Sequence, residues 1–517
     1  MDSTLSFIPV TKKQKLDCAN LSSIDEYVVE ANALIKLIFV VLVPNGISDQ
    51  CMCEYHHCRP TYSHQMFPGE KINFLSEATQ KSIMNCSGVS LDTTGTSDNS
   101  PGLLIYIKCD DLTHYVTTRN VSILTDTVML LEKVSAGLPA SSNSLNGPNY
   151  AADFQQKFCQ QNSWPHFTPP GKALPVTNEI ALLSSHLPGT SFEMYLANAS
   201  DIGAEELLHR AEKVAAWYIE TADSVDFTDE RWEVLNLYSI QNENSNHDKQ
   251  AGIVERKTYS FSGYMTLFTF MNPFLGSKIR VCQALVLPHM QGKGLGRMML
   301  LAVYKLAKSR PSIVEVTVED PAPAFERLRD ATDCEWLLLH LNEEKIHHCA
   351  EKLIPSESLE IPPGDHKLHV MRMERVVDEA STATPSEFKD LCKELKLIPT
   401  QVAFALEALQ YAVLIIPLID EEKEKSNKDH SATKDSVMKT ETVNENGIST
   451  SIVALLSSSA SYKAFRLRVK RRMLNSNKHL KGQSNEVMQK ELEALFKELT
   501  VRYMYCLRSI RRIRVEE

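Results

Sequence analysis

Two short stretches of this chain carry residue types whose spacing supports chemistry. The first is Gln291-Gly292-Lys293-Gly294-Leu295-Gly296, followed at once by Arg297. Backbone N–H groups at a helix start lack partners and carry the positive end of the helix dipole, and glycines let such a backbone approach a phosphate closely. The turn therefore suits a phosphorylated ligand, with Arg297 adding a fixed charge. The second stretch is Glu319-Asp320, closed by Pro321. An alkyl amine with a reference pKa of ~10.4 is protonated at neutral pH, so a reaction in which it attacks needs a base. A carboxylate at the end of a buried strand can be that base, and desolvation would raise its pKa. The plain alternative is that Glu319 and Asp320 cap a strand end or the next helix.

The elements around these residues must position them. Ile279 to Leu287 is an apolar, strand-like run that stops at Pro288. A helical pattern runs from Arg297 to Lys308, with Met299, Ala302, Val303 and Leu306 on one face. A second strand-like run, Ile313 to Val318, leads into the acid pair, and a helix is expected from Pro323 to Arg329. The order is strand, glycine turn, helix, strand, acid pair. A dinucleotide fingerprint fits Gly292 and Gly294, but Arg297 stands where its last small residue belongs. Glu315 or Glu319 could imitate that motif's ribose acid. The Gly-Lys-Ser/Thr of a P-loop is absent.

What remains, Gln-x-x-Gly-x-Gly after a strand, resembles the pyrophosphate loop of the GCN5-related N-acetyltransferase superfamily, which binds acetyl-CoA. The run Val316 to Pro321, with Ala324, Phe325, Leu328, Arg329 and Asp330 after it, resembles the catalytic segment of the type B histone acetyltransferase catalytic subunits. Tyr62 to Phe67, Trp217 to Ala222 with Asp229 to Trp232, and Tyr462 to Arg472 resemble further segments of that family, in the family's order.

The resemblance implies an α/β fold. Its centre is a GCN5-related N-acetyltransferase core, a mixed, mostly antiparallel sheet with flanking helices, at 186–348. An α/β substrate-gripping domain at 21–185 precedes it, and a helical domain at 349–517 follows. It also implies residue roles. Ala284, Leu285 and Val286 match the strand whose backbone binds the pantetheine arm, and Gln291 through Arg297 (Gln291, Gly292, Lys293, Gly294, Leu295, Gly296, Arg297) match the pyrophosphate loop. Glu319 matches the general base, with Asp320 and Glu220 as helpers. Phe268, Thr269, Phe270, Trp232 and Glu70 match the substrate side. The implied reaction is direct attack of a tail lysine of newly made histone four on acetyl-CoA in a ternary complex, with no metal. The implied partners are a histone three–four complex and a WD-repeat histone-binding chaperone, in nucleus and cytoplasm, with no membrane and no need for direct nucleic-acid binding. The polar residue that often follows the family's Glu-Asp-Pro is Ala322 here.

The remaining residues set bounds. A length of 517 with 43% hydrophobic and 23% charged residues suits two to four globular domains. The first fifteen residues lack a signal-peptide stretch, and twelve cysteines without regular spacing suit reduced thiols in a cytosolic or nuclear protein. Cys51, Cys53, His56, His57 and Cys58 match no common zinc spacing and read as a loop with free thiols. Cys282 reads as a buried core thiol. Strands are expected at Ala33 to Leu42, Leu103 to Ile107, Tyr115 to Val121, Phe192 to Leu196, Trp232 to Ile240, Gly263 to Phe270 and Lys278 to Leu287. A helix is expected at Ala204 to Ala222, with Glu220 off its apolar stripe, and another at Thr400 to Leu414. Segments 87–102 and 136–148 read as flexible loops, and 420–447 as a disordered insertion. From Tyr462 onward 15 Lys and Arg face 6 Asp and Glu, leaving 40 against 59 in the rest of the chain. An acidic body suits a basic tail electrostatically. The basic end reads as a solvated helix face, an import signal or a nucleic-acid patch.

Overall fold

The computed structural model describes residues 27–30, 35–44, 51–62, 71–74, 102–119, 167–175, 191–220, 222–242, 257–340, 385–430 and 450–514. The chain forms two compact units: 1–268 with 282–296, and 269–281 with 297–517. The loops expected at 87–102 and 136–148 lie almost wholly outside the described residues.

The first unit holds a small antiparallel pair, β1 (Tyr27–Glu30) with β4 (Lys71–Phe74). It also holds a four-stranded sheet of β2 (Ile35–Pro44), β3 (Cys51–Cys58), β5 (Gly102–Lys108) and β6 (His114–Arg119), in the order β3-β2-β5-β6. β2 and β5 run parallel. Ile35, Leu37 and Phe39 face one hydrophobic cluster while Ile38 and Val40 face another. Burial on both faces explains why β2 is a nearly unbroken apolar run rather than an alternating one. Cys51–Cys58 is thus a strand and not the loop expected from its His and Cys content; Cys53 and Cys58 within it form no disulfide.

The central sheet has the order β12-β11-β10-β9-β8-β7. Its strands are β7 (Lys172–Leu174), β8 (Ser191–Ala197), β9 (Trp232–Asn242), β10 (Lys257–Phe270), β11 (Ser277–Val286) and β12 (Ile313–Val318). β7 to β10 pair antiparallel, and β12 pairs parallel to β11. The observed architecture is therefore mixed α/β.

Helix α1 (Ala204–Ala215) buries Leu207, Leu208, Ala211, Val214 and Ala215 on one stripe. It ends seven residues before the expected Ala222. The chain leaves the helix axis because Trp217 is buried and its carbonyl accepts the amides of Thr61 and Tyr62 at 2.9 and 3.0 Å. The Glu212 carboxylate also accepts the Val225 amide at 2.8 Å. Two of the segments that resemble the type B family therefore meet at Trp217.

In the second unit, α2 (Leu295–Ser309), α3 (Pro323–His340), α4 (Pro385–Leu395), α5 (Pro399–His430), α6 (Thr450–Ser458), α7 (Ala460–Ser476) and α8 (Asn485–Arg514) form a helical body. The stretch Pro399–Ile416 has the length and composition of a membrane span, yet 65% of it is buried. α5 packs on α3 and α8, which makes it a core helix. It continues to His430, so the first part of the segment expected to be disordered is helical, and 431–449 lie outside the described residues.

Buried polar groups join these helices. Asp333 on α3 accepts from Tyr304 Oη and, at 2.8 Å, from Gln401 Nε2. Asp330 takes Arg502 Nε and Nη2 at 2.9 and 2.6 Å. Glu407 accepts from Arg472 Nε and Nη2 at 2.6 and 2.7 Å and from Tyr503 Oη at 2.7 Å. Arg466 and Lys470 pair with Glu493. Arg466, Lys470 and Arg472 of α7 are therefore paired with carboxylates of neighbouring helices, the Glu493 pairs at the surface and the Glu407 pair half-buried. α3 runs well past the expected Arg329: Ala331, Cys334, Trp336 and Leu337 are buried along it, and Asp330 and Asp333 find partners on other helices. The turn after α4 covers the open edge of the central sheet: the Val316 amide donates to Lys396 O at 2.8 Å, and Lys396 Nζ donates to Ile313 O at 2.7 Å.

Burial pushes the Asp333 carboxyl up to about 7. A group whose folded pKa lies above its unfolded value adds stability below the unfolded pKa, and that stability is lost as pH rises toward the folded one. Urea unfolding between pH 4 and 7 should show the wild type losing up to about 1.4 kcal/mol per pH unit relative to Asp333→Asn. Parallel profiles for the two proteins would remove Asp333 as the titrating group.

Candidate functional site

The glycine turn begins where β11 ends. The Leu287 amide donates to Ser262 O on β10 at 2.9 Å, so by alternation the backbone groups of Val286 and Ala284 face away from β10. Val286 O is held by Gln291 Nε2 at 2.9 Å. Pro288–Met290 makes one 3-10 turn, and Gly292 and Gly294 follow with φ of 76° and 78°. A Cβ at either glycine would meet nothing within 4 Å. Backbone conformation, not crowding, is what asks for glycine here. Leu295 then opens α2.

Arg297, expected at the phosphate, lies with its Nε 3.0 Å from Glu335 Oε2 on α3, both side chains 11% exposed and not aligned as a hydrogen bond. Burial lowers the pKa of Arg297 and raises that of Glu335, and their mutual attraction opposes both shifts. Its charge is thus shared with a structural partner.

The acid pair sits where β12 leaves the sheet. The parallel ladder ends with Val281 opposite Val318, and the Glu319 amide adds one more bond to Val281 O at 2.9 Å. Asp320 has a φ of 32°, a left-handed conformation that a non-glycine residue adopts only when its surroundings enforce it. The buried setting expected for these carboxylates is not found: the Glu319 side chain is 48% exposed and Asp320 is exposed. Glu319 Oε1 lies 3.5 Å from Arg280 Nη1, and the Arg280 guanidinium carbon lies 4.4 Å from the Phe270 ring centre. Arg280 was not among the residues singled out from the sequence. Its signal was a cation inside the apolar run Ile279-Arg280-Val281.

The other expected residues are placed as follows. Glu220 lies beyond the end of α1, exposed. Trp232 packs on Phe268 at 4.8 Å, and Arg231 caps the same ring at 4.7 Å. Thr269 is half-buried between the two phenylalanines, and Phe270 is exposed. Leu285 is buried, whereas Ala284 and Val286 are half-buried. Cys282, expected in the core, is half-buried. Glu70 lies outside the described residues. Among the described residues no group of three or more His, Cys, Asp or Glu could hold a metal ion.

No family model matches the chain. Curated relatives do match, and they are histone acetyltransferases. More narrowly, they are type B catalytic subunits. The relative from Mycosarcoma maydis is 30% identical over 214 residues, covering 40% of this chain and 46% of the relative. The one from Homo sapiens is 31% identical over 140 residues, covering 27% and 31%. The resemblance read from the sequence motifs is borne out, and the chain spans less than half the length of either relative. An integron cassette protein from the mobile metagenome of V. cholerae matches at 14% identity, covering 26% of this chain and 76% of its own, with a TM-score of 0.18 that carries no argument.

Breaking one half of a buried pair leaves the other charge uncompensated, at about 3 kcal/mol or more. Arg297→Met should therefore unfold at clearly lower urea than the wild type, and Arg297→Met with Glu335→Leu should recover most of that loss. A double variant as weak as the single one would show that the Arg297–Glu335 contact does not hold α2 to α3.

Proposed function

We propose that this chain is a histone acetyltransferase. In this reading it moves the acetyl group of acetyl-CoA to a lysine amine on the tail of histone four by direct attack, with Glu319 as general base. The observation that carries it is the incomplete ladder on β11. β12 grips that strand only as far as Val281, with Glu319 at the point of departure, and β11 runs on to Val286 and into the glycine turn. A strand that its parallel partner leaves at Val281, and that ends in a turn of positive-φ glycines, suits a ligand with amides along its arm and a pyrophosphate at its end.

The residues of the chain then divide the work. Backbone groups of Ala284 and Val286 would hold the pantetheine arm, with Leu285 between them turned toward β10. The amides of Gln291 through Gly296, with Lys293 and in part Arg297, would hold the pyrophosphate. Glu319 would take the proton from the attacking amine, assisted by Asp320 and Glu220. The Arg280 guanidinium beside Glu319 would keep that carboxylate turned along the strand end, with Phe270 behind it. Trp232, Phe268, Thr269 and Phe270, with Glu70, would line the peptide's path. Half-exposure of Glu319 fits a base that must meet a substrate side chain and release a proton to solvent.

The same reading takes the central sheet as an acetyltransferase core between an N-terminal substrate-gripping part and a helical C-terminal part. It includes a histone three–four complex as the substrate, a WD-repeat histone-binding partner, and work in nucleus and cytoplasm. Its support is the name shared by the curated relatives and the acidic body of the chain.

The test is acetyl transfer from acetyl-CoA to a histone-four tail peptide by the full chain and by Glu319→Gln. Turnover by the wild type, with a loss of about 10²-fold or more in the variant at unchanged CoA affinity, is expected. CoA binding without transfer would instead favour a histone-binding module with decayed catalysis. Failure to bind CoA, with binding of a nicotinamide dinucleotide, would favour the oxidoreductase reading of the turn.

A further inference from the structure

The glycine turn is supported from outside by a pair of stacked histidine rings. His289 lies in the middle of the 3-10 turn that joins β11 to Gln291. Its ring stacks on His56 of β3, with centroids 4.6 Å apart and planes 11° from parallel. It also meets Phe39 of β2 at 5.1 Å. His56 and Phe39 are direct cross-strand partners, and Phe39 is fully buried in the main hydrophobic cluster. β3 is the edge strand of its sheet. The N-terminal sheet thus meets the His289 ring through two cross-strand neighbours, His56 on the edge strand and Phe39 beside it.

The rings act as aromatic surfaces rather than as charges. Burial, with smaller contributions from His56 and Lys293, pushes His289 down to about 3. Burial also lowers His56, and Lys293 adds to that, while Glu54, 3.8 Å away, opposes it. The Nδ1 atom of His289 is buried with no hydrogen-bond partner among the described residues. A histidine nitrogen that gains nothing marks a position where the ring face does the work.

The turn needs such a support. Gly292 and Gly294 have no side chain to anchor them and open space where a Cβ would stand, and glycines lose the most conformational freedom when ordered. Fixing the residues just before them lowers the entropy that a phosphate ligand must overcome on binding. Gln291 fixes one of these neighbours through Val286 O, and Lys293 Nζ rests 3.5 Å from Met290 Sδ. The His56–His289 stack fixes the third.

We propose that His56 is a positioning residue for the cofactor-binding turn, setting its affinity for a pyrophosphate-bearing ligand through the ring stack with His289. This rests on the reading of the turn as a CoA site. Neither histidine lies in the segments that carry the resemblance.

The test is CoA binding by calorimetry at pH 7.5 on the full chain, with thermal melting of each variant. His56→Ala should weaken CoA about 10-fold and raise the KM for acetyl-CoA by a similar factor, with kcat within twofold of wild type. His56→Phe, which keeps a ring face and removes the imidazole, should restore affinity. His289→Phe should bind CoA as the wild type does and melt at a higher temperature, because a buried unpaired nitrogen is gone. A His56→Ala protein that binds CoA as tightly as the wild type overturns the proposal. So does a normally melting His56→Phe protein that stays as weak as His56→Ala. A wild type that does not bind CoA overturns the cofactor reading of the turn itself and this inference with it; the two failures are told apart by the wild-type titration alone.

Discussion

The parallel ladder between Ser277–Val281 and Ile313–Val318 is the contact on which the proposed chemistry depends. Parallel strands need a crossover, and α2 supplies it, so the helix that follows the glycine turn also carries the chain back to the start of β12. The ladder ends one bond past Val281, at the Glu319 amide. From that point β12 must turn out of the sheet, and the left-handed Asp320 followed by Pro321 makes the turn. A carboxylate at this place is fixed at its backbone, while its half-exposed tip is held only by the Arg280 guanidinium 3.5 Å away. That combination suits a proton acceptor that must be aimed and yet reach solvent.

An edge strand of six residues carrying this load would be exposed to fraying and to wrong pairing. The helical body prevents both. The Lys396 backbone and side chain occupy the outer edge of β12. α3, which begins two residues after Pro321, is tied by Asp330 to Arg502 and by Asp333 to Gln401 and Tyr304. Buried carboxylates are costly unless paired, and each of these has its partner in a helix distant in sequence. The C-terminal helices thus act as the frame behind the strand that ends in the acid pair, and the basic residues of α7 take part in that frame through Glu407 and Glu493.

In the first unit the same economy applies to the glycine turn. The turn is built from residues with little conformational preference of their own, and its neighbours hold it through one amide, one thioether contact and one ring stack. The N-terminal sheet, whose Cys- and His-rich strand reads from its sequence as a loop with free thiols, presents an aromatic surface at His56 and Phe39.

Much of this was legible in the residues alone, for a physical reason. β12 occupies the residues that its apolar run marks, and α2 begins within two residues of its expected start, because side-chain periodicity and the glycine–helix junction are local properties of the backbone. The order strand, turn, helix, strand, acid pair follows from those same local rules. Where expectation and structure part, a residue distant in sequence has intervened. α1 stops at Ala215 because Thr61 and Tyr62 take the Trp217 carbonyl. α3 runs on to His340, burying Cys334, Trp336 and Leu337, with Asp330 paired to an arginine 172 residues away. Arg297 faces Glu335, and Glu319 faces Arg280, since a charge is drawn to whatever partner the fold brings near, which spacing along the chain does not encode. The sequence determined the kinds of groups available for binding and proton transfer and the turn that presents them. Only the tertiary structure decided which of them are held, which are exposed and which carry weight for the fold instead.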